Sequence, residues 1–233
     1  MTEARFHWRE FGSREELAQR LSEAVSRRLA QAVETKGTGL LAVSGGSTPK
    51  RFFEVLSGAE IPWAQTTVTL CDERFVPPAH ERSNEKLVRE NLLTHKAEAA
   101  RFLPLFHQAE DVEQAAKLAD SEFAQSPLPL DVAVLGMGND GHTLSFFPDA
   151  QELGLALDRA NPKRVMAIHA ASTEEPRLTL TLPLVVHAGQ TFLHIEGAAK
   201  REAFEHAMAS DPALPIRVVA EALERPIEVF WAP

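Results

Sequence analysis

The chain has 233 residues, a formal net charge of −9, 44% hydrophobic and 24% charged residues, and one cysteine, Cys71. That balance excludes nonspecific nucleic-acid binding, which needs a basic face, and a membrane span, since no apolar run reaches roughly 18 to 20 residues. One cysteine excludes an internal disulfide framework, and with no hydrophobic signal core near the N-terminus the chain reads as cytoplasmic.

In chain order, Ser13 with Glu16 three positions on forms a capping box that opens a helix. Leu17, Leu21, Val25 and Leu29 mark its apolar face, and Gly37 ends it. Residues 40–43 are an apolar strand that runs into the turn Ser44, Gly45, Gly46, Ser47. Thr48 is then expected to cap the next helix, with Pro49 at its first position, Phe52, Phe53 and Leu56 on its apolar face, and Gly58 closing it. A strand at 66–71 delivers Asp72, Glu73 and Arg74 ahead of a Pro77-Pro78 loop. Ser83 caps a helix over 84–93, and Asp111 caps another that reaches Phe123. A strand at 131–135 enters a second glycine turn. Strands follow near 164–169 and 190–195, then a helix over 198–208 and a last strand at 227–231. Short apolar strands alternating with amphipathic helices predict an α/β fold, a Rossmann-like and mainly parallel sheet with helices on both faces. With no repeat and no convincing linker, residues 1–233 read as one domain.

The second glycine turn holds the densest chemistry. Gly136, Gly138, Asp140, Gly141 and His142 fall within seven consecutive positions at the carboxyl end of a buried strand, where open α/β sheets bind ligands. The same stretch satisfies G-x-G-x-x-G, but that fingerprint needs a long helix directly after it, and Pro148 stands only seven residues past Gly141. A nicotinamide cofactor is therefore not expected. The Ser44–Ser47 turn, with hydroxyls and free N–H groups ahead of a helix, suits an anion or a sugar hydroxyl. It is not a Walker A loop. Arg74 at a strand end suits phosphate or carboxylate. Lys200 and Arg201 occupy a helix first turn, where the macrodipole disfavours cations, so an anion nearby would explain them. Lys50, Arg51 and Arg177 are further cations near the turns. His187 and His194 sit in apolar runs and read as structural. No H-E-x-x-H or cysteine cluster offers a metal site.

Taken together, SGGSTP (44–49), DERFVP (72–77) with Ser83-Asn84, GMGNDGHT (136–143), PRLTLTLPL (176–184) and GAAK (197–200) resemble the 6-phosphogluconolactonase family in kind and order. The resemblance implies a modified Rossmann fold with no cofactor, and a sugar-phosphate lactone as the partner. It implies His142 as general base with Asp140 orienting it. Ser44, Gly45, Gly46, Thr48, Asp72, Arg74, Arg177 and Lys200 would then bind substrate. One departure is TLSFFPD after the glycine turn, where the family pattern is closer to TASLFPG; it bears on pocket shape. Glucosamine-6-phosphate deaminases share the fold and two of the turns, but their DEY and DGHIAFNEP patterns put Tyr and Glu where this chain has Arg74 and Phe147. An aldose–ketose isomerisation needs that extra carboxylate. A third reading is a non-catalytic sugar-phosphate-binding module. Against it stand the complete Asp140–His142 pair and the uninterrupted helix before residue 37.

Overall fold

The computed structural model describes residues 5–233. Its elements run β1 (Phe6–Glu10), α1 (Arg14–Lys36), β2 (Gly39–Val43), α2 (Lys50–Ser57), β3 (Thr66–Leu70), β4 (Asp72–Arg74), α3 (Asn84–Asn91), β5 (Arg101–Leu103), α4 (Val112–Phe123) and β6 (Val132–Leu135). Then come α5 (Leu153–Ala156), β7 (Val165–Ile168), β8 (Arg177–Leu180), α6 (Leu182–Val186), β9 (Gln190–Glu196), α7 (Ala198–Ser210), α8 (Pro215–Ala222) and β10 (Ile227–Ala232). The start of α1 follows local chemistry: Ser13 Oγ accepts the Glu16 N–H at 3.1 Å. The Glu16 carboxylate takes the Gly12 N–H, also at 3.1 Å, so the box closes one residue earlier than the motif expects. Gly37 ends the helix at φ +81°, a conformation only glycine adopts without strain.

The main sheet has seven strands in the order β1-β10-β9-β6-β2-β3-β5, and every pairing in it is parallel. Every residue of β2 and β6 is buried, which requires helices over both faces. From β2 the chain steps outward through β3 and β5. It then returns to the other flank of β2 for β6, β9 and β10. Strand order therefore reverses between β2 and β6, and the loops leaving their carboxyl ends diverge to open a crevice.

A second sheet, β4-β8-β7, is antiparallel and sits at that same end. The strand expected near 164–169 belongs to this small sheet and not to the main one. Cys71 couples the two layers: its N–H donates to Val43 O and its carbonyl accepts from Leu180 N, each at 2.9 Å. Among the described residues no helix is long and apolar enough to cross a membrane.

Candidate active site

A cleft of about 260 Å³ opens at the reversal point, lined by the loops after β2 and β6, by β4 and by the start of α7. The first two loops are stitched together. Ser44 N donates to Val134 O at 2.9 Å, and Gly136 N donates to Ser44 Oγ at 3.0 Å. Gly45 is required by contact, because a Cβ there would fall 1.9 Å from Asn84 Oδ1. Gly46 is required by backbone, at φ +90°.

Thr48 does not cap α2. Pro49 takes the cap position with helical dihedrals and no side-chain cap, so α2 begins one residue late and Thr48 faces the cleft. There its hydroxyl accepts from Lys200 Nζ at 3.2 Å. Gly58, at φ −89°, closes α2 without the left-handed turn that its position suggests. Arg51 also leaves the site. Its guanidinium pairs with Glu15 at 2.6 Å and Glu54 at 2.9 Å, and the exposed Lys50 does not line the cleft.

The Asp72-Glu73-Arg74 triplet splits by alternation along β4. Asp72 and Arg74 line the cleft, while Glu73 is fully buried behind them. Asp72 Oδ2 accepts Ser145 Oγ at 2.7 Å. Glu73 accepts four donors: Arg74 N at 2.7 Å, Asn84 N at 2.8 Å, Glu85 N at 2.7 Å and Ser83 Oγ at 3.0 Å. Burial pushes its carboxyl above the usual range, and these four donors pull the other way. Arg74 donates to the carbonyl of Arg82.

The glycine turn after β6 closes on itself, with Gly138 N donating to His142 O at 3.0 Å and Gly141 at φ +77°. It brings Asp140 Oδ1 to 2.6 Å from His142 Nδ1 and lets the same oxygen accept His142 N–H at 3.2 Å. The carboxylate fixes the tautomer with the proton on Nδ1, leaving a lone pair on Nε2. The Phe147 ring packs 4.4 Å from the imidazole, so an apolar face stands where the isomerase pattern puts a carboxylate. The first helix after the turn is α5, which begins at Leu153, twelve residues past Gly141, where a dinucleotide would need the helix directly after the turn.

Of the site residues expected from the sequence, Ser44, Gly45, Gly46, Thr48, Asp72, Arg74, His142 and Lys200 share the cleft wall. Asp140 stands behind His142. Arg177 does not line the cleft, although β4–β8 pairing puts it opposite Arg74. Its guanidinium lies 5.8 Å from the centre of the Phe147 ring, and burial lowers its pKa more than any other influence. Two histidines depart from a structural reading. His187 is exposed and pairs with Glu224 at 2.7 Å. His194, only 3% exposed, forms part of the cleft wall. Its place two residues before the end of β9 was the available signal, but β9 is buried on both faces and its apolar neighbours hid it. Asn84 likewise lines the cleft, carried there by the Ser83 cap and the Glu73 carboxylate. Among the described residues no three His, Cys, Asp or Glu side chains gather as metal ligands.

Residues 12–231 match the family model described as glucosamine-6-phosphate isomerases/6-phosphogluconolactonase. A 6-phosphogluconolactonase of Mesorhizobium japonicum is 52% identical over 230 residues, covering 99% of this chain and 97% of its own. One from Pseudomonas aeruginosa is 40% identical over 225 residues, with coverage of 96% and 93%. The crystal structure of a 6-phosphogluconolactonase from Shewanella baltica matches with a TM-score of 0.95 at 37% identity, covering 98% of both chains. This chain belongs to the glucosamine-6-phosphate isomerase/6-phosphogluconolactonase family.

Proposed function

We propose that the chain, acting as one catalytic unit in the cytoplasm, hydrolyses 6-phospho-D-glucono-1,5-lactone to 6-phospho-D-gluconate in the oxidative pentose phosphate pathway. The observation that carries this reading is the 2.6 Å Asp140–His142 pair at one side of a cleft whose other walls hold Arg74 and Lys200. Neutral His142 takes a proton on Nε2 from a water that attacks the lactone carbonyl carbon. Asp140 keeps Nδ1 protonated and stabilises the imidazolium that forms. The protonated His142 then returns its proton to the departing ring oxygen as the C–O bond breaks. The backbone N–H groups of Gly45 and Gly46, in the cleft wall, are the donors assigned to the developing oxyanion. Asp72, its Oδ2 tied to the buried Ser145, is an acceptor for sugar hydroxyls.

Arg74 and Lys200 hold the phosphate, and Arg177 acts from behind as a second charge beside Arg74. His142→Ala should lower kcat by about 10²- to 10⁴-fold in a coupled assay run against the spontaneous background. Near-normal turnover in that variant would remove His142 from the base role. Arg74→Ala and Lys200→Ala should instead raise KM by about 10-fold or more, as expected for lost charged hydrogen bonds. The isomerase reading predicts ammonia release from glucosamine-6-phosphate, and a non-catalytic binder predicts no turnover of either compound. Phe147 beside His142, where an isomerase needs a carboxylate, favours the lactonase.

A further inference from the structure

We infer that Asn84 is a specificity-determining residue: its side-chain Oδ1 accepts the hydroxyl next to the lactone carbonyl, the one on C2. The inference rests on the reading of Gly45 and Gly46 as oxyanion donors and deepens the proposed function. Asn84 opens α3, is only 3% exposed, and stands in the cleft wall together with Gly45 and Asp72. Its backbone is fixed, because its N–H donates to Glu73 Oε1 at 2.8 Å and Ser83 Oγ caps the same helix turn by accepting Lys86 N–H at 3.2 Å.

The carboxamide is fixed as well. Nδ2 donates to Asp72 O at 2.9 Å. A carbonyl oxygen only accepts, so the edge facing Asp72 must be the NH2 edge, and Oδ1 faces the other way. Gly45 closes one side of the amide: a Cβ there would fall 1.9 Å from Oδ1, 2.1 Å from Cγ and 2.7 Å from Nδ2. The amide thus fills the volume that any larger residue at position 45 would claim. Oδ1 accepts from no described residue. It also keeps open surface, unlike the unpartnered Nδ1 of His194 in the same wall, which is sealed.

An oriented acceptor of this kind selects for a donor. A ligand that covers Oδ1 strips its water, and only a donor such as a hydroxyl restores the lost bond. Beside Gly45, whose N–H is assigned to the oxyanion on C1, the hydroxyl within reach is that of the adjacent carbon. The amide is also neutral. A second carboxylate next to Asp72 would oppose the negative charge that develops on the lactone oxygen, whereas an amide oxygen accepts without adding to it.

The test compares 6-phospho-D-gluconate with its 2-deoxy analogue, each titrated by calorimetry into the full chain. Wild type should bind the 2-deoxy acid about 10-fold more weakly, the loss of one hydrogen bond to a desolvated acceptor. Asn84→Leu keeps the shape of the amide without its acceptor. It should bring that ratio to about 2-fold or less by weakening the hydroxylated acid. Asn84→Ala carries the same comparison if circular dichroism shows the leucine variant unfolded. A wild type that binds both acids equally overturns the inference. So does a variant that weakens both in proportion, the mark of a structural role alone. Turnover of the lactone by the wild type is scored separately. A protein that discriminates between the acids but does not hydrolyse the lactone refutes the proposed function and leaves this inference standing, and one that hydrolyses without discriminating refutes only the inference.

Discussion

Gly138 shows how the absence of one methyl group governs the candidate base. A Cβ at this position would fall 2.3 Å from His142 Cε1, 2.4 Å from its Nδ1 and 2.5 Å from Asp140 Oδ1. No real Cβ tolerates such contacts, so the imidazole or its carboxylate would have to move. Gly138→Ala should therefore lower kcat by about 10²-fold, because a displacement of about 1 Å in a positioned group has that effect. Circular dichroism and the unfolding midpoint would check that the fold survives; an unaltered kcat would show that the pair can relax without harm. The neighbouring Phe147 contributes differently. At 4.4 Å it confines the ring on one side by packing and supplies no proton.

At the level of elements, a buried carboxylate ties the first turn of α3 to β4, alongside the bond from Asn84 Nδ2 to Asp72 O at 2.9 Å. Glu73 reaches from β4 to the first turn of α3, where negative charge is favoured by unsatisfied N–H groups and the helix dipole. The same carboxylate accepts the N–H of Arg74. It thereby sets Arg74 and Asn84 relative to each other. Glu73→Gln would replace one acceptor oxygen with an NH2 group facing donors, and Ser83 can reorient but the backbone N–H groups cannot. The expected cost is about 1–3 kcal/mol, the penalty for a buried unsatisfied donor, and urea unfolding would measure it. Stability within a few tenths of wild type would mean that the donors find other partners. Helix α7 explains a different oddity, its two cations in the first turn. Arg201 lies 5.0 Å from the Trp8 ring and 4.6 Å from the Trp231 ring, and its ion pairs go to Glu10 and Glu205. Lys200 turns to Thr48, whose hydroxyl accepts from its Nζ at 3.2 Å. Each cation thus has a partner outside α7, Glu10 for Arg201 and Thr48 for Lys200.

Across the molecule, a chain of net charge −9 assembles its cleft cations from β4 and α7, on opposite flanks of the sheet reversal. The meeting of these cations is a product of topology, since composition alone works against it. Buried titratable groups also link the whole fold to pH. Burial holds His194 below its ordinary value of 6.5, so the unfolded chain binds a proton that the folded chain refuses. Its stabilising contribution is complete above about pH 6.5 and declines as pH falls towards the folded-state value. His194→Gln should flatten the loss of stability between about pH 7 and 5, compared by urea unfolding at several pH values. An equally steep loss in the variant would assign the acid sensitivity to other groups.

Periodicity and turn chemistry by themselves determined the elements: the α1 face, the Ser83 and Asp111 caps, the Gly37 stop and the buried strands β2 and β6 are local properties that each segment carries in its own residues. The three chemical turns were legible for the same reason, because glycine, carboxylate and imidazole at a strand end are a contiguous signal. What only the tertiary structure decided was contact between segments. Whether Asp140 meets His142 depends on how the turn folds back, and whether Thr48 caps α2 or meets Lys200 depends on residues 152 positions apart. The retreat of Arg177 behind Phe147, the place of β7 in the small antiparallel sheet and the entry of His194 into the cleft wall were set in the same way. Strand order and side-chain packing fix these through long-range contacts, which no window of sequence contains.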